Sequence, residues 1–460
     1  MQFNSTAFLL FFPIVAALYF ALGLQLRRWL LLIASLYFYA FWSVPFSLLL
    51  VLSTLVDYSA AAVISNSNRT AVRRTALVGS LVVNLGLLGL FKYADFFSDS
   101  AYSLFGTRPW PELDLILPLG ISFYTFQTIS YTIDVYRGHI AARKSILDVA
   151  LYVSFFPQLV AGPIIRADVL IPALRIKHAL DWDRIRGGLA LILWGLGKKV
   201  LIADGMAPIV QEAYANPSEM SGLALLTATY AFAVQIYCDF SGYTDIAIGC
   251  ARILGVDLPK NFDAPYLSCS IREFWRRWHI SLSTWLRDYL YIPLGGSRKG
   301  AARTYVNLLT TMLIGGLWHG AGWNWVVWGG LQGLMMSIER LLGIPETPPD
   351  RLVWRVLRWF VTIHLVCASW VLFRVENLGD AGVVFSRMAT AAPGLQFDLG
   401  WPTVALLIVV ASGLFGCRQR FIEGMRTHPR IAAIASIVIL TLLAAVVRGS
   451  RNPEFIYFQF

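Results

Sequence analysis

Charged residues are scarce in this chain of 460 residues. Only 14% of the residues are Asp, Glu, Lys or Arg, while 57% are hydrophobic. The mean hydropathy is +0.61. A soluble domain carries roughly 25% charged residues. This shortage excludes an ordinary soluble protein and predicts a polytopic membrane protein whose helices form one continuous bundle.

Metal-binding and common hydrolytic motifs are also lacking. The sequence has no GxSxG, GxxxxGK[ST] or HExxH pattern, so serine hydrolysis by a classical triad, NTP hydrolysis and zinc proteolysis have no motif support. Its five cysteines show no CxxC or other metal spacing, and we interpret them as small apolar core residues, without a metal site or disulfide framework. They are Cys238, Cys250, Cys269, Cys367 and Cys417.

Negative charge is outweighed by positive charge, with a formal net charge of +11. In a membrane protein such an excess indicates cytoplasmic Lys/Arg loops rather than nucleic-acid binding. If the apolar runs alternate across the membrane, the basic clusters at 27–28, 69–74 and 137–144 fall on one side. The acidic segment Tyr93 to Asp114, interpreted as a loop, falls on the other. This arrangement predicts an N-terminus on the outer side. The first apolar run follows no basic segment, so it is expected to be retained as a span.

The apolar runs predict roughly 11 membrane spans plus re-entrant or interfacial pieces. The run Ile146 to Ile165 has basic flanks and contains two prolines and a glycine, which predicts a re-entrant hairpin buried in protein. A span over Gly222 to Cys238 is followed by Asp239 and Asp245 at or near membrane depth. These carboxylates are either a buried structural hydrogen-bonding hub or functional groups.

The segment Arg272 to Tyr289 predicts one strongly amphipathic helix. At about 100° per residue, its polar side chains fall within an arc of about 80°, opposite the tryptophans, leucine and tyrosine. Two interpretations stay open. The helix could lie on the cytoplasmic leaflet with its arginines at lipid phosphates, or line an opening where the arginines attract a phosphate-bearing ligand. The polar stripe consists of Arg272, Arg276, His279, Ser283 and Arg287.

A second histidine, His319, ends an apolar run between Gly316 and Gly320, with Asn324 and several tryptophans close in sequence. An imidazole inside an apolar segment is expected to be neutral, because a buried charge is costly. A neutral imidazole can act as a general base toward a hydroxyl group. The alternative is a structural histidine bonded to a backbone carbonyl.

These segments resemble the membrane-bound O-acyltransferase family, in its bacterial branch that acetylates alginate and related exopolysaccharides. The resemblance implies an all-α polytopic fold, with a ring of about 11 tilted helices and re-entrant or interfacial helices around a central tunnel. It implies one domain over 1–460, with N-terminal helices at 1–115, a catalytic core at 116–345 and C-terminal helices at 346–460. The matching stretches are Leu117–Gly138 (LPLGISFYTFQTISYTIDVYRG), Phe155–Ile164 (FFPQLVAGPI), Tyr237–Gly249 (YCDFSGYTDIAIG), Asn261–Tyr266 (NFDAPY), the two histidine segments and Phe455–Phe460 (FIYFQF).

The resemblance also implies a function, membrane O-acyl transfer in the bacterial inner membrane, with a periplasmic N-terminus. An acetyl group would pass from cytoplasmic acetyl-CoA to the outer side, for O-acetylation of an alginate-like exopolysaccharide or another envelope glycan. A periplasmic or membrane-anchored SGNH-type transferase is the expected partner. No permanently bound cofactor and no nucleic acid are expected. Two alternatives stay open: a transporter or flippase for a lipid-linked saccharide, and a D-alanyl or lipid acyltransferase of the same family.

The resemblance assigns roles to both histidines. His319 is implied to be catalytic and His279 to be its partner in the tunnel. We expect His319 to accept the proton of the acceptor hydroxyl, while His279 or Asn324 stabilises the oxyanion. The expected donor-binding residues are Arg272, Arg276, Arg287 and Ser283.

Overall fold

The computed structural model describes residues 1–397 and 418–428. The predicted stretch Phe455–Phe460 and Cys417 lie outside the described residues. Within the described ranges the chain is helical, and its β-structure is limited to one isolated bridge between Met220 and Leu395. The chain divides into two compact units. The first is Met1–Ile192 with Thr244–Pro259, and the second is Leu193–Tyr243 with Lys260–Phe460.

The first unit contains one long helical run where the sequence predicts a loop. A π-helical turn, Gly89–Tyr93, joins α4 to α5, so that 36 residues are continuously helical over Thr70–Phe105. The prediction of a loop from Tyr93 is therefore wrong up to Phe105. The acidic residues indicated a loop, but the helix ends only where Gly106 adopts a left-handed φ of +72°. The helices are α1 (Thr6–Ala21), α2 (Leu24–Ala40), α3 (Val44–Asn66), α4 (Thr70–Leu88), α5 (Ala94–Phe105), α6 (Ile121–Arg137), α7 (Ile146–Ser154), α8 (Phe156–Leu159), α9 (Ala167–Leu174) and α10 (Trp182–Leu196), which continues into the second unit.

A buried carboxylate joins three helices of the first unit. Asp57 of α3 accepts hydrogen bonds from Ser80 and Asn84 of α4, the latter at 2.9 Å. Thr132 of α6 donates a third bond at 2.6 Å. A carboxylate can be buried among helices only when such donors replace water, so this network fixes how α3, α4 and α6 pack.

The segment predicted as a re-entrant hairpin is a broken and deeply buried helix pair, α7 and α8. At the break, Phe156 donates its backbone N–H to Ser35 Oγ of α2 at 3.1 Å. Gln158 donates its side-chain amide to the Tyr152 carbonyl at 2.7 Å. Irregular backbone at membrane depth is tolerated only where protein satisfies it in this way. The re-entrant path itself stays a prediction.

The second unit contains a span longer than the sequence predicts. The predicted span Gly222–Cys238 is too short, because α12 continues to Ile253 and carries both Asp239 and Asp245 inside it. Lys199 lies 2.8 Å from Asp239. This ion pair allows the carboxylate to lie inside the helix, so the helix does not have to end before Asp239. The helices are α11 (Asp204–Ala215), α12 (Gly222–Ile253), which ends in the first unit, α13 (Ile271–Arg277), α14 (Ile280–Leu286), α15 (Ala301–His319), α16 (Trp323–Leu341), α17 (Leu352–Arg374), α18 (Leu378–Ala389) and α19 (Arg418–Thr427).

Among the described residues, four helical runs are long and apolar enough to cross a membrane. A span requires about 20 predominantly apolar residues, and α1 is apolar but shorter. Length and composition therefore agree with the membrane protein that the sequence predicts. The four runs are Val44–Asn66, Thr70–Phe105, Gly222–Ile253 and Leu352–Arg374.

Candidate active site

The predicted single helix over Arg272 to Tyr289 is wrong, because the chain breaks at His279. Helix α13 ends two residues earlier, and α14 begins directly after it. His279 itself has a left-handed φ of +43°. The break changes the helical phase, so His279 leaves the polar stripe on which a continuous helix would place it.

Asn261 holds this break in place from outside the segment. Its carbonyl accepts the backbone N–H of Ile280 at 2.9 Å, and its side-chain oxygen accepts the N–H and hydroxyl of Ser281 at 3.0 and 2.9 Å. These bonds offset the cost of a left-handed non-glycine residue, about 1–2 kcal/mol. The loop lies outside the candidate spans, and burial lowers the pKa of His279 to about 3, so its ring is neutral.

Two glycines bring α15 and α16 into backbone contact beside His319. A Cβ on Gly316 would lie 2.3 Å from the Trp325 carbonyl oxygen, and one on Gly329 would lie 2.3 Å from the Met312 carbonyl oxygen. No larger residue fits either position, since small residues are what allow helices this close approach. The contact sets His319, the last residue of α15, against the first turns of α16.

Aromatic rings enclose His319, which is only 4% exposed. Trp328 lies 5.2 Å from it at 90°, and Phe373 lies 5.3 Å away. The ring of Trp318 is 4.9 Å from His319 and 5.9 Å from His279. The two histidines therefore share Trp318 as a neighbour, in surroundings that largely exclude water.

A cavity of about 530 Å³ reaches His319. A second recess of about 590 Å³ shares four lining residues with it, Arg272, Arg276, Arg340 and Glu346, but does not include His319. These four charged residues therefore lie where the cavity and the recess meet, and His319 lies in the part of the cavity away from the recess. Most of the remaining wall is apolar, and it includes Trp275, Leu282, Leu286, Leu308, Met312 and Trp328.

The length of the cavity can be read along α16. Both Trp328 and Arg340 line it, and they lie twelve positions apart, on α16 and its last turn. At about 1.5 Å per residue, this separation is about 18 Å. The cavity thus has a basic end and an aromatic end, far enough apart to hold different parts of one elongated ligand.

All four predicted donor-binding residues line this cavity, including Ser283. The arginines among them differ in side-chain exposure and in the ion pairs that they make. Arg272 is 18% exposed and contacts Glu346 at 2.8 Å, whereas Arg276 also contacts Glu346 but has a side chain that is 66% exposed. Arg287 is 59% exposed and pairs with the adjacent Asp288 at 2.7 Å. Arg276 and Arg287 therefore have the most capacity for a ligand, and the donor-binding role of the set stays a prediction.

The two predicted oxyanion donors are not among the residues that line the cavity. The side-chain amide of Asn324 donates to the carbonyls of Leu372 at 3.3 Å and Val375 at 2.9 Å, at the end of α17. Both of its amide hydrogens are thus used to satisfy a helix terminus. His279 is fully buried next to Trp318. The structure places Asn324 as a helix cap, and its catalytic role stays a prediction.

Sequence reasoning missed the acidic groups at the end of α16. Glu339 accepts the backbone N–H groups of Ile271 at 2.5 Å and Arg272 at 3.2 Å, and so anchors the first turn of α13. The available signal was an ionisable pair, Glu339 and Arg340, at the end of an apolar helix. Helix α16 therefore begins near His319 and ends by fixing an arginine of the cavity.

Known proteins resemble this chain over the residues that build the site. The sequence pattern of the membrane-bound O-acyltransferase family matches residues 138–344. The chain is 39% identical to a protein of Pseudomonas putida named "Probable alginate O-acetylase AlgI", over 100% of both chains. It is 38% identical to the peptidoglycan O-acetyltransferase of Helicobacter pylori, over 84% of this chain and 80% of that protein. It is 25% identical to the teichoic acid D-alanyltransferase of Bacillus subtilis, over 60% and 75% of the two chains.

Proposed function

The chain belongs to the membrane-bound O-acyltransferase family, and we propose that it transfers an acetyl group from cytoplasmic acetyl-CoA to a hydroxyl acceptor across the bacterial inner membrane. The observation that carries this proposal is the cavity that joins a cluster of arginines to His319. Its basic end suits the phosphates of the donor, because guanidinium groups bind phosphate through paired hydrogen bonds. Its apolar length suits the uncharged arm that carries the thioester.

In the proposed step, His319 accepts the proton of the acceptor hydroxyl while the hydroxyl oxygen attacks the thioester carbonyl carbon. The tetrahedral intermediate collapses, the carbon–sulfur bond breaks, and the thiolate leaves with the proton that His319 returns. The products are an acetyl ester and free CoA, so atoms and charge balance without a covalent enzyme intermediate. The aromatic enclosure of His319 keeps water from competing as the acceptor.

For the oxyanion we propose His279 as the hydrogen-bond donor, which requires its ring to reach the cavity that it does not line in this structure. The alternative, Asn324, has both amide hydrogens on carbonyls of α17. A neutral imidazole carries one N–H, and one donor of this kind contributes roughly 3 kcal/mol to the transition state. The neutral state of His279 that burial enforces is therefore compatible with this role.

We propose a cell-envelope or exported polysaccharide as the final acceptor. The identities of 39% and 38% to relatives named for alginate and for peptidoglycan support a glycan hydroxyl without favouring one glycan. The proposal includes an SGNH-type transferase on the outer side, which completes the modification. It also includes one domain over 1–460, built as a ring of about 11 tilted helices around a tunnel, with a periplasmic N-terminus.

Labelled acetyl-CoA supplied to membranes that contain the His319→Ala variant tests the proposal. Removal of a general base is expected to lower acetyl transfer by roughly 10²–10⁴-fold. The matched control is His364→Ala, which removes a histidine bonded within α17, through Nδ1, to the Phe360 carbonyl. Undiminished transfer in His319→Ala would reject the catalytic role.

Transport of a lipid-linked saccharide without acetyl-CoA would support the flippase alternative. O-acetyl esters compared in glycans from cells with and without the chain would identify the acceptor.

A further inference from the structure

A carboxylate occupies the basic end of the cavity. Glu346 lies in the loop after α16 and lines both the cavity and the recess. One of its oxygens is 2.8 Å from Arg272 Nη1, and the other contacts Arg276 Nη2. Its side chain is 27% exposed, so solvent and ligands can reach it.

The loop that carries Glu346 is fixed from α17. Arg358 donates to the carbonyls of Pro345 at 2.5 Å and Thr347 at 3.3 Å, which are the residues on either side of Glu346. A guanidinium group therefore holds the backbone directly before and after the carboxylate. The place of Glu346 between Arg272 and Arg276 thus follows from the path of the loop as well as from its charge.

Arg272 does not depend on Glu346 for its position. Arg272 also donates to the Ile344 carbonyl and lies 3.6 Å from Glu339, whose carboxylate holds the same turn of backbone. Arg276, in contrast, is mostly exposed and contacts Glu346. Removal of the charge on Glu346 would therefore leave Arg272 in place and release Arg276.

A carboxylate and a phosphate make the same paired contacts with guanidinium groups. We propose that Glu346 stands in for the donor's phosphate: it pairs with Arg272, holds Arg276 beside it, and is displaced when a phosphate-bearing thioester binds. This inference rests on the proposed function, which supplies the donor. Glu346 then competes with the incoming donor and with the released CoA, which carries the same phosphates, and so weakens the binding of both.

Binding of radiolabelled CoA to the purified full-length protein tests this role in the variant Glu346→Gln, which keeps size and removes charge. Binding is expected to become roughly two- to fivefold tighter, the range for loss of one partly exposed ion pair. The KM for acetyl-CoA should fall by a similar factor, while the KM for S-acetylpantetheine, which lacks these phosphates, should not change. The matched control is Asp350→Asn, an exposed carboxylate in the same loop, which should bind CoA as the wild type does. Glu346→Ala serves as a second variant.

The outcomes distinguish failure of this inference from failure of the proposed function. CoA binding that is unchanged or weaker in both Glu346 variants overturns the inference, and so does an equal change in Asp350→Asn. A wild-type protein that does not bind CoA overturns the inference together with the donor site. Tighter CoA binding in Glu346→Gln, with no acetyl transfer by the wild type, supports the role of Glu346 and rejects the proposed function.

Discussion

Replacement of Gly329 by alanine tests whether the contact between α15 and α16 positions His319. The added Cβ would lie 2.3 Å from the Met312 carbonyl oxygen and 3.1 Å from Gly316 Cα, and both are backbone atoms. An ordinary contact begins at 3.4 Å, so the two helices must separate by about 1 Å. Overpacking of this kind costs typically about 1–3 kcal/mol of stability. A displacement of about 1 Å between reacting groups can lower a rate about 10²-fold.

The neighbouring residue provides the control for this experiment. A Cβ on Gly330 would meet only Leu313 Cδ2 at 3.3 Å, the end of a flexible side chain. Both replacements raise helix propensity by the same amount, so the difference between them isolates the helix contact. We expect acetyl transfer per folded protein to fall by about 10²-fold in Gly329→Ala and to stay near the wild-type rate in Gly330→Ala. Equal rates in the two variants would refute the idea that this contact positions the histidine.

Two further substitutions probe the surroundings of the histidines. Asn324→Ala leaves the carbonyls of Leu372 and Val375 without their donor. It should lower the free energy of unfolding, measured by thermal unfolding, by about 1–3 kcal/mol. Full stability with lost acetyl transfer would instead indicate catalysis by Asn324. His279 is neutral when folded, since burial lowers its pKa from 6.5 to about 3. The unfolded state therefore binds more protons below pH 6.5, and stability should fall on acidification by at most about 1.4 kcal/mol per pH unit. His279→Gln should flatten this dependence between pH 7 and pH 5, and an unchanged slope would contradict the burial of this ring.

The placement of His319 was predictable because its signals are local. An apolar run that ends in glycine, histidine and tryptophans indicates a buried imidazole near a close helix contact. The break at His279 was not predictable from the same kind of pattern. It depends on hydrogen bonds that Asn261 accepts, and Asn261 lies 20 positions before Ser281. Helical periodicity takes no account of such a partner, so it predicted a continuous helix.

The arginines of the polar stripe are a second case in which the local pattern predicts only part of the site and contacts from distant residues decide the rest. Periodicity predicted Arg272, Arg276 and Arg287 on one face of a continuous helix, and all three line the cavity although the helix breaks between Arg276 and Arg287. Which of them is already engaged depends on Glu339 and Glu346, which are 67 and 74 positions away from Arg272 in the chain. Periodicity within one segment therefore predicts which side chains share a surface, but the charges that meet them come from elsewhere in the fold.

The distance between the basic end of the cavity and His319 also bears on which acyl group the donor can carry. In the proposed donor complex, the phosphates stay at the basic end because they are costly to remove from water, while the uncharged thioester arm crosses the apolar stretch to His319. Among the described residues that line the cavity, the one carboxylate is Glu346, which lies with Arg340 at the basic end. An aminoacyl group would bring an ammonium ion next to Trp328 without a carboxylate partner. A cation–π contact there contributes about 0.5–2 kcal/mol, less than the several kcal/mol that desolvation of an ion costs. The proposed donor site would therefore favour an uncharged acyl group, such as the proposed acetyl group, over an aminoacyl group.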